Sequence, residues 1–334
     1  MIYVNWYHHN MPKIFGILSY IINPLFIYMV VTKSRSQMGN YRYLLIGFAV
    51  FDMVYSTAEL LTPIAVLNSG YGFVTFITEG PFFENLDYGL HGISSRCCFV
   101  SMSYAVLIIH FVYRYLIFPH HVDKMLKPLG IIVMFLFLIA HGAFWTWICE
   151  DCLAPNEEIR DIIRPAFLEV HHVDSDHISL LTGQYRNASD YVVYKSWIGI
   201  TALTLFSMYC MTVYFVLGYK IMRKMNESCN MTNRSVNLNR QLFKALVAQT
   251  CIPMFASFLP TIIAWYAPIF LINLTWWNNY VCNIALSAFP LIDPIVVIYF
   301  IPNYKNILLV WCKLRKPKVV TITTTSMITA PTTH

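Results

Sequence analysis

The chain has 334 residues, of which 57% are hydrophobic and only 12% are Asp, Glu, Lys or Arg. A soluble domain of this length does not need so much apolar surface, so the composition excludes the soluble classes and predicts a polytopic membrane protein. The net charge of +6 does not indicate a nucleic-acid partner, because membrane proteins concentrate Lys and Arg in their cytosolic segments.

Seven apolar runs follow one another along the chain, and each reaches roughly 20 residues or more, the length a helix needs to cross a bilayer. They cover residues 13–32, 44–67, 94–118, 128–149, 196–219, 242–272 and 279–301. Backbone polar groups inside a bilayer must be satisfied internally, which favours helices. The predicted fold class is therefore all-α, a bundle of seven transmembrane helices. Pro253, Pro260 and Pro268 predict a kinked sixth helix whose end frays into a loop.

Basic residues are divided unevenly between the two sets of connecting segments. One set carries 17 of the 23 Lys and Arg residues, whereas the other set carries 12 of the 17 Asp and Glu residues. The positive-inside rule assigns the basic set to the cytosol. We therefore predict that the N-terminus lies outside the cell and the C-terminus inside.

Residues 150–195 form the one long outer loop, with a short amphipathic helix predicted around 155–167. Asn187, in Asn187-Ala188-Ser189, is a predicted glycosylation acceptor within this loop. After the seventh run, residues 302–316 predict an amphipathic helix on the lipids of the inner leaflet. The threonine-rich residues 317–334 predict a disordered cytosolic tail.

Two pairs of cysteines lie at outer helix mouths, where the environment is oxidising. Cys97 or Cys98 could form a disulfide with Cys149 or Cys152, which would pin the long loop to the third helix. The alternative is that these cysteines are free and pack as small apolar residues. The partners of the disulfide cannot be assigned from spacing alone.

Ionisable residues within apolar runs are costly and usually face the bundle interior. Asp52 and Glu59 share a face of the second run, and Asp293 lies in the seventh. They predict an internal polar network or cation site that changes between resting and active states, or else a static hydrogen-bond network. Arg114 ends the third run, where it is either a switch residue or an ordinary anchor at the membrane edge.

A ligand pocket is predicted in the outer half of the bundle, between the third, fifth, sixth and seventh helices, for a small apolar or weakly polar molecule. Its predicted lining comprises residues spaced three or four apart on the third helix and residues at similar depth on the sixth and seventh. They are Phe99, Met102, Ser103, Val106, Trp265, Tyr266 and Asn283.

Neither a metal site nor a cofactor is predicted. The pairs His8-His9, His120-His121 and His171-His172 consist of adjacent residues whose side chains do not face each other, and no third ligand accompanies them. The motifs His-Glu-x-x-His and Gly-x-Ser-x-Gly are absent from the sequence, so no enzyme is indicated.

Short motifs are spread over nearly the whole chain. They are NPL at 23–25, MGNYRYL at 38–44, FD at 51–52, HFVYRYL at 110–116, QLFKALVAQT at 241–250, IP at 252–253, PLIDP at 290–294 and YFIPNYK at 299–305. Together they resemble the nematode seven-transmembrane chemoreceptors of the Str superfamily, the group that includes the str and srj classes and the diacetyl receptor. Each motif is weak alone, whereas the set is specific.

The resemblance implies a G-protein-coupled receptor for an odorant or pheromone, in the plasma membrane of sensory-neuron cilia. Binding would shift a two-state helix bundle and admit a heterotrimeric G protein at the inner ends of the helices. The residues expected to couple to the G protein are Tyr113, Arg114, Tyr115, Lys220, Arg223 and Lys244. Tyr113 stands where rhodopsin-like receptors have an acid, so their ionic lock is not expected here.

Two alternative functions are a seven-helix ligand-gated channel of the insect-odorant type and a small-solute transporter. Such a channel places its N-terminus inside, against the charge division found here. A transporter predicts repeat symmetry and broken helices in matching halves. The sequence has no detectable internal repeat, so the receptor is favoured over both.

Overall fold

The structure is a computed structural model that describes residues 2, 4–33, 40–117, 125–227, 233–311 and 313. Its principal helices are α1 (Trp6–Lys33), α2 (Tyr41–Leu61), α3 (Leu86–Ile117), α4 (Pro128–Cys152), α5 (Glu157–His171), α6 (Asp190–Glu227), α7 (Asn233–Pro253), α8 (Leu259–Tyr266), α9 (Asn283–Phe300) and α10 (Pro302–Trp311). Single helical turns lie at Pro81–Glu84, Ser175–His177, Ala267–Phe270 and Thr275–Trp277. Three strands accompany them: β1 (Ile64–Ser69), β2 (Gly72–Ile77) and β3 (Leu180–Gln184).

In the described part of the chain, six helices are long and apolar enough to cross a membrane: α1, α2, α3, α4, α6 and the helix from Thr275 to Phe300 that includes α9. A further helix, made of α7 and α8, is more polar at its start, where Arg240 and Lys244 lie. With it the described residues form seven long helical segments. The predicted all-α seven-helix bundle is thereby confirmed.

The α7 and α8 segments are joined by a π-helical turn, Met254–Phe258, rather than interrupted. The backbone N–H of Leu259 donates to the carbonyl of Met254, five residues earlier. Pro260 has no N–H, and its ring clashes with the carbonyl four residues before it, so the normal α-helical bonds cannot continue here. The backbone stays in the right-handed helical region at Pro253, Phe258 and Leu259, so the chain passes from α7 to α8 without leaving the helical conformation. We call this continuous segment the rod, whether or not its axis bends at the predicted kink.

The second apolar run is not helical over its whole length, and the prediction of a helix to residue 67 is wrong. α2 ends at Leu61, and Thr62 already has a non-helical backbone with φ −134° and ψ 68°. Pro63 explains this end, because a proline disfavours the helical conformation of the residue before it. Conversely, α3 and α6 extend beyond their apolar runs, since a helix can project past the hydrocarbon layer.

The segment after α2 forms a small antiparallel sheet, with strand order β1-β2-β3. β1 and β2 make a tight hairpin in which Ile64 pairs with Ile77 and Ser69 with Gly72. Gly70 in the turn has φ +53°, a conformation that favours glycine. β3 arrives from the long loop and pairs with β2, Gly72 opposite Gln184. The sheet therefore caps one end of the bundle, which we call the sheet end.

The two faces of the sheet have different neighbours, as the alternation of side chains along a strand requires. One face, which includes Ala65, Leu67, Val74 and Phe76, packs in a hydrophobic cluster with α5. The other face points toward the helices. The predicted amphipathic helix in the long loop is confirmed as α5, whose Asn156 side chain accepts a hydrogen bond from the backbone N–H of Ile159 at 2.9 Å.

Arg114 lies in the last turn of α3, at the opposite end of the bundle, which we call the Arg114 end. A second buried cluster around Phe26, Tyr41, Tyr113 and Tyr304 joins α1, α2, α3 and α10 there. α10 occupies the start of the predicted amphipathic segment 302–316. The predicted disordered tail, 317–334, lies outside the described residues.

Candidate functional site

A cavity of about 110 Å³ lies between the sheet and the helices at the sheet end. The inward face of the sheet forms its roof, and α3, α4, α6, α8 and the start of the last membrane helix form its walls. It is lined by Ile64, Val66, Phe73, Thr75, Cys97, Val100, Trp145, Cys149, Leu153, Leu181, Leu203, Thr261, Ala264, Trp265, Asn278, Cys282, Asn283 and Leu286. Most of these side chains are apolar, which suits a small hydrophobic molecule.

The roof is fastened to the last membrane helix by side chains that bond the free edge of β1. The Asn279 amide accepts from the backbone N–H of Val66 and donates to its carbonyl, both at 2.8 Å. The Thr275 hydroxyl accepts from the N–H of Asn68 at 2.8 Å, and the Asn283 amide donates to the carbonyl of Ile64 at 3.2 Å. These bonds satisfy an otherwise open strand edge.

Two of the predicted ligand residues, Trp265 and Asn283, line this cavity. Trp265 packs against Trp145 with ring centroids 6.2 Å apart, and its carbonyl accepts a 2.7 Å hydrogen bond from the Tyr185 hydroxyl. Tyr185 directly follows β3. Tyr185 thus links α8, which forms one wall of the cavity, to β3 in its roof.

The other predicted ligand residues lie away from the cavity, and α3 presents Cys97 and Val100 to it instead. Phe99 faces the ring of Phe51 at 6.3 Å, and the Ser103 hydroxyl donates to the carbonyl of Val100. Met102 lies against Cys98, Val106 is buried in the core, and the Tyr266 hydroxyl bonds that of Thr204 at 3.0 Å. A different face of α3 from the predicted one therefore lines the cavity. The spacing of residues along a helix shows which residues share a face, but not which face points inward.

Cys97 and Cys149 both line the cavity, and their thiols are hydrogen-bond neighbours. Cys98 lies beside Met102, and Cys152 beside Asp151. All four are free cysteines in the structure. The disulfide stays a prediction, for which Cys97 and Cys149 are the pair brought together. The predicted acceptor Asn187 is exposed at the sheet end.

The buried acids form two separate groups rather than one network. Glu59 pairs with Arg96 of α3 and accepts a 2.8 Å hydrogen bond from the Ser287 hydroxyl. The Arg96 guanidinium lies 4.6 Å from the centroid of the Tyr55 ring, and Arg96 is only 1% exposed. Arg96 is one of the six basic residues outside the predicted cytosolic set, and no role for it was predicted from the sequence. Its position among uncharged residues, at the start of an apolar run, was the available signal.

Asp52 and Asp293 form the second group, deeper in the bundle, and both are almost fully buried. They interact electrostatically with each other. Oδ1 of Asp52 and both carboxyl oxygens of Asp293 have no hydrogen-bond partner. Two adjacent buried carboxyl groups are costly when both are charged, so this pair calls for a proton or a cation.

At the other end, Arg114 is buried within the protein, with 3% exposure. Its guanidinium lies 3.7 Å from the centroid of the Tyr41 ring, and Nη1 donates to Oδ1 of Asn239 at 3.3 Å. The Tyr41 hydroxyl bonds Nδ1 of His110 at 3.0 Å. Among the residues that the structure describes, Nε and Nη2 of Arg114 have no hydrogen-bond partner. Arg114 therefore connects α2, α3 and α7.

The other predicted coupling residues make contacts of different kinds. Tyr113 is buried, with its ring 5.1 Å from that of Tyr41. Nζ of Lys220 lies 6.0 Å from the centroid of the Tyr115 ring. Arg223 forms an exposed ion pair with Glu227 at 2.7 Å. The coupling set therefore divides into a buried centre and a basic rim.

Lys244 lines a crevice of about 650 Å³ between α6 and α7 at the Arg114 end. The other lining residues are Phe111, Met211, Tyr214, Phe215, Gly218, Tyr219, Met222, Phe243, Val247, Ala248, Thr250, Cys251, Met254 and Phe300. The two helices are therefore not in close contact along this crevice, which is partly open to the surroundings of the bundle.

The comparisons with known proteins agree with one another. A family model described as serpentine type 7TM GPCR chemoreceptor Srj matches residues 2–308. Serpentine receptor class J-38 of Caenorhabditis elegans is 31% identical over 304 residues, which cover 90% of this chain and 92% of that relative. The C. elegans G-protein coupled receptor str-217 is 24% identical over 313 residues, which cover 90% of this chain and 88% of that relative.

A third relative, serpentine receptor class r-10 of C. elegans, is 24% identical over 86% of each chain. The family model spans all seven helices described above. This chain, a multi-pass membrane protein, therefore belongs to the Srj family of nematode serpentine chemoreceptors.

Proposed function

We propose that this chain is an olfactory-type G-protein-coupled receptor. It binds a small external odorant or pheromone in the cavity beneath the sheet and activates a heterotrimeric G protein at the Arg114 end. One observation carries the proposal. The continuous rod of α7 and α8 holds Trp265 in the cavity wall and Asn239 against Arg114. Twenty-six residues separate the two, about 39 Å at 1.5 Å per residue.

The rod gives the ligand a means to act at a distance. A ligand can shift an equilibrium only through different affinities for the two states. Contact with Trp265 makes the ligand affinity depend on the position of α8. The hydrogen bond from Tyr185 to the Trp265 carbonyl also links α8 to the sheet that forms the roof. The crevice between α6 and α7 supplies room for the other end of the rod to move.

In this proposal the sheet end faces outward and the Arg114 end faces the cytosol, in the plasma membrane of a sensory cilium. The division of basic residues supports this orientation. Asn187, the predicted glycosylation acceptor, is exposed at the sheet end, where modifying enzymes would reach it. α10 would lie on the lipids of the inner leaflet.

Arg114 is the proposed switch. Movement of α7 would break the Asn239 contact and free the guanidinium, whose donors suit the C-terminus of an inserting G-protein helix, where partial negative charge collects. Tyr113 and Tyr115 flank it, and Lys220, Arg223 and Lys244 supply a basic rim. The Asp52–Asp293 pair, in the middle of the bundle, would change its proton or cation occupancy between the two states.

The test is a screen of volatile compounds on cells that express the full chain, with cAMP, cGMP and calcium readouts. We expect a response that disappears in Arg114→Ala at equal surface level. An N-terminal tag should be accessible on intact cells, and a tag after His334 only after permeabilisation. A ligand-evoked current that persists when G proteins are inhibited would contradict the proposal and favour the channel.

A further inference from the structure

The cavity beneath the sheet contains a buried polar side chain with an unused hydrogen-bond donor. Asn278 lines the cavity and is 1% exposed. Within the described part of the chain, its Nδ2 has no hydrogen-bond partner. A buried amide N–H without a partner is unfavourable, and such groups are uncommon in folded proteins. This one lies against a space that can hold another molecule, which makes it a candidate ligand contact.

The orientation of the amide is given by its contact with Cys282. The S–H of Cys282 donates to Oδ1 of Asn278, which lies 3.9 Å from the sulfur. Oδ1 is thus used by the protein, whereas Nδ2 remains free.

The rest of the lining restricts what can approach Nδ2. No Lys, Arg, Asp or Glu is among the described residues that line the cavity. The walls include Val100, Leu203, Ala264 and Leu286. An ion placed here would lose its hydration without gaining a counter-charge. A pure hydrocarbon would fill the space but leave the amide unpaired.

We propose that the cavity selects uncharged, mostly apolar molecules with one carbonyl oxygen, which accepts a hydrogen bond from Nδ2 of Asn278. This inference rests on the proposed ligand-binding role of the same cavity and adds the chemical class of the ligand. A ketone, an aldehyde or an ester supplies such an oxygen without a donor of its own. An apolar cavity of about 150 Å³ can hold benzene, so 110 Å³ suits a molecule of about five heavy atoms.

Two probes of nearly the same shape test the proposal: 2-butanone, and 2-methyl-1-butene, in which CH₂ replaces the carbonyl oxygen. 2-Aminobutane, which is charged at pH 7, is the third probe. Binding to the full chain in lipid nanodiscs can be measured by saturation-transfer NMR. The variant Ala264→Phe, which fills the cavity, corrects for partition into lipid. We expect wild-type protein to bind the ketone about tenfold more tightly than the alkene, and the amine not at all.

The variant Asn278→Leu should lose the preference for the ketone while still binding the alkene. The wild-type comparison alone is decisive if that variant does not fold. Equal binding of ketone and alkene, both blocked by Ala264→Phe, would overturn the carbonyl preference but leave the cavity as the ligand site. Tighter binding of the alkene or the amine would also overturn the proposal. Binding of no probe, or binding unaffected by Ala264→Phe, would overturn both this inference and the proposed ligand site.

Discussion

Arg114 and Asn239 are joined by a hydrogen bond of 3.3 Å between Nη1 and Oδ1, which ties the last turn of α3 to α7. It is a direct polar contact between the Arg114 side chain and the rod that reaches the cavity. Two of the three guanidinium nitrogens, Nε and Nη2, have no hydrogen-bond partner among the described residues. The Asn239 contact must break if α7 moves away from α3.

We predict that Asn239→Ala raises signalling in the absence of ligand. The substitution removes the hydrogen bond that holds α7 against Arg114. The inactive arrangement thereby loses about 1.5–3 kcal/mol of stabilisation, the contribution of a hydrogen bond to a charged group. Basal second-messenger level, normalised to surface level, measures the effect. Arg240→Gln, at the exposed neighbouring position, is the matched control and should leave the basal level unchanged. Equal basal activity in both variants would count against the role of Asn239.

We predict that Arg114→Ala keeps surface expression and ligand binding but abolishes G-protein activation. Arg114→Lys should signal partially, because it keeps the charge but loses the planar guanidinium that stacks on Tyr41. A plain anchor would instead tolerate lysine fully and lose expression with alanine. The two variants are compared by surface labelling and second-messenger response. Normal signalling by Arg114→Ala at a normal surface level would rule out the switch.

The Glu59–Arg96 pair predicts strong coupling between two substitutions. Both side chains are nearly inaccessible, at 6% and 2% exposure. Removing one partner leaves an uncompensated buried charge, so Glu59→Gln or Arg96→Met alone should cost about 3–5 kcal/mol. The double variant should be less destabilised than the sum of the two. Thermal unfolding of the purified chain provides the test, and simple additivity would show that the pair does not act as a unit.

Replacing Cys97 and Cys98 together should lower surface expression or ligand response if a disulfide joins α3 to the end of α4, where the long loop begins. Such a bond typically contributes about 2–4 kcal/mol. The neighbouring thiols of Cys97 and Cys149 make this the expected pair. Alkylation before and after reduction, followed by mass spectrometry, identifies the bridge directly. Free thiols at Cys149 and Cys152, with normal behaviour of the double variant, would refute it.

The seven helices could be predicted because apolar length is a property of the local sequence. The end of α2 could also have been predicted from the local sequence, since Pro63 disfavours a helical conformation of the residue before it. The sheet was not, because β1 and β2 are stabilised by β3, which comes from more than a hundred residues later in the chain. Apolar residues in a short strand and in a helix end look alike without that partner.

The candidate site was predictable in part. Trp265 and Asn283 follow from depth along a helix, whereas the rotation of α3, which turns Val100 rather than Phe99 toward the cavity, depends on packing against all its neighbours. The stripe Thr275, Asn279 and Asn283, four residues apart, was visible in the sequence as a polar face. Its role in holding β1 could be recognised only once the strand was known.

The most direct measurement uses purified full-length chain in nanodiscs with a purified heterotrimeric G protein. Nucleotide exchange on the G protein is followed while volatile ligands from the cell screen are added. We predict ligand-dependent exchange by the wild-type chain, loss of the ligand effect in Ala264→Phe, and loss of exchange with retained ligand binding in Arg114→Ala. Ligand binding by the wild-type chain without any increase in exchange, for every G-protein class tried, would contradict the proposed coupling of the cavity to the Arg114 end.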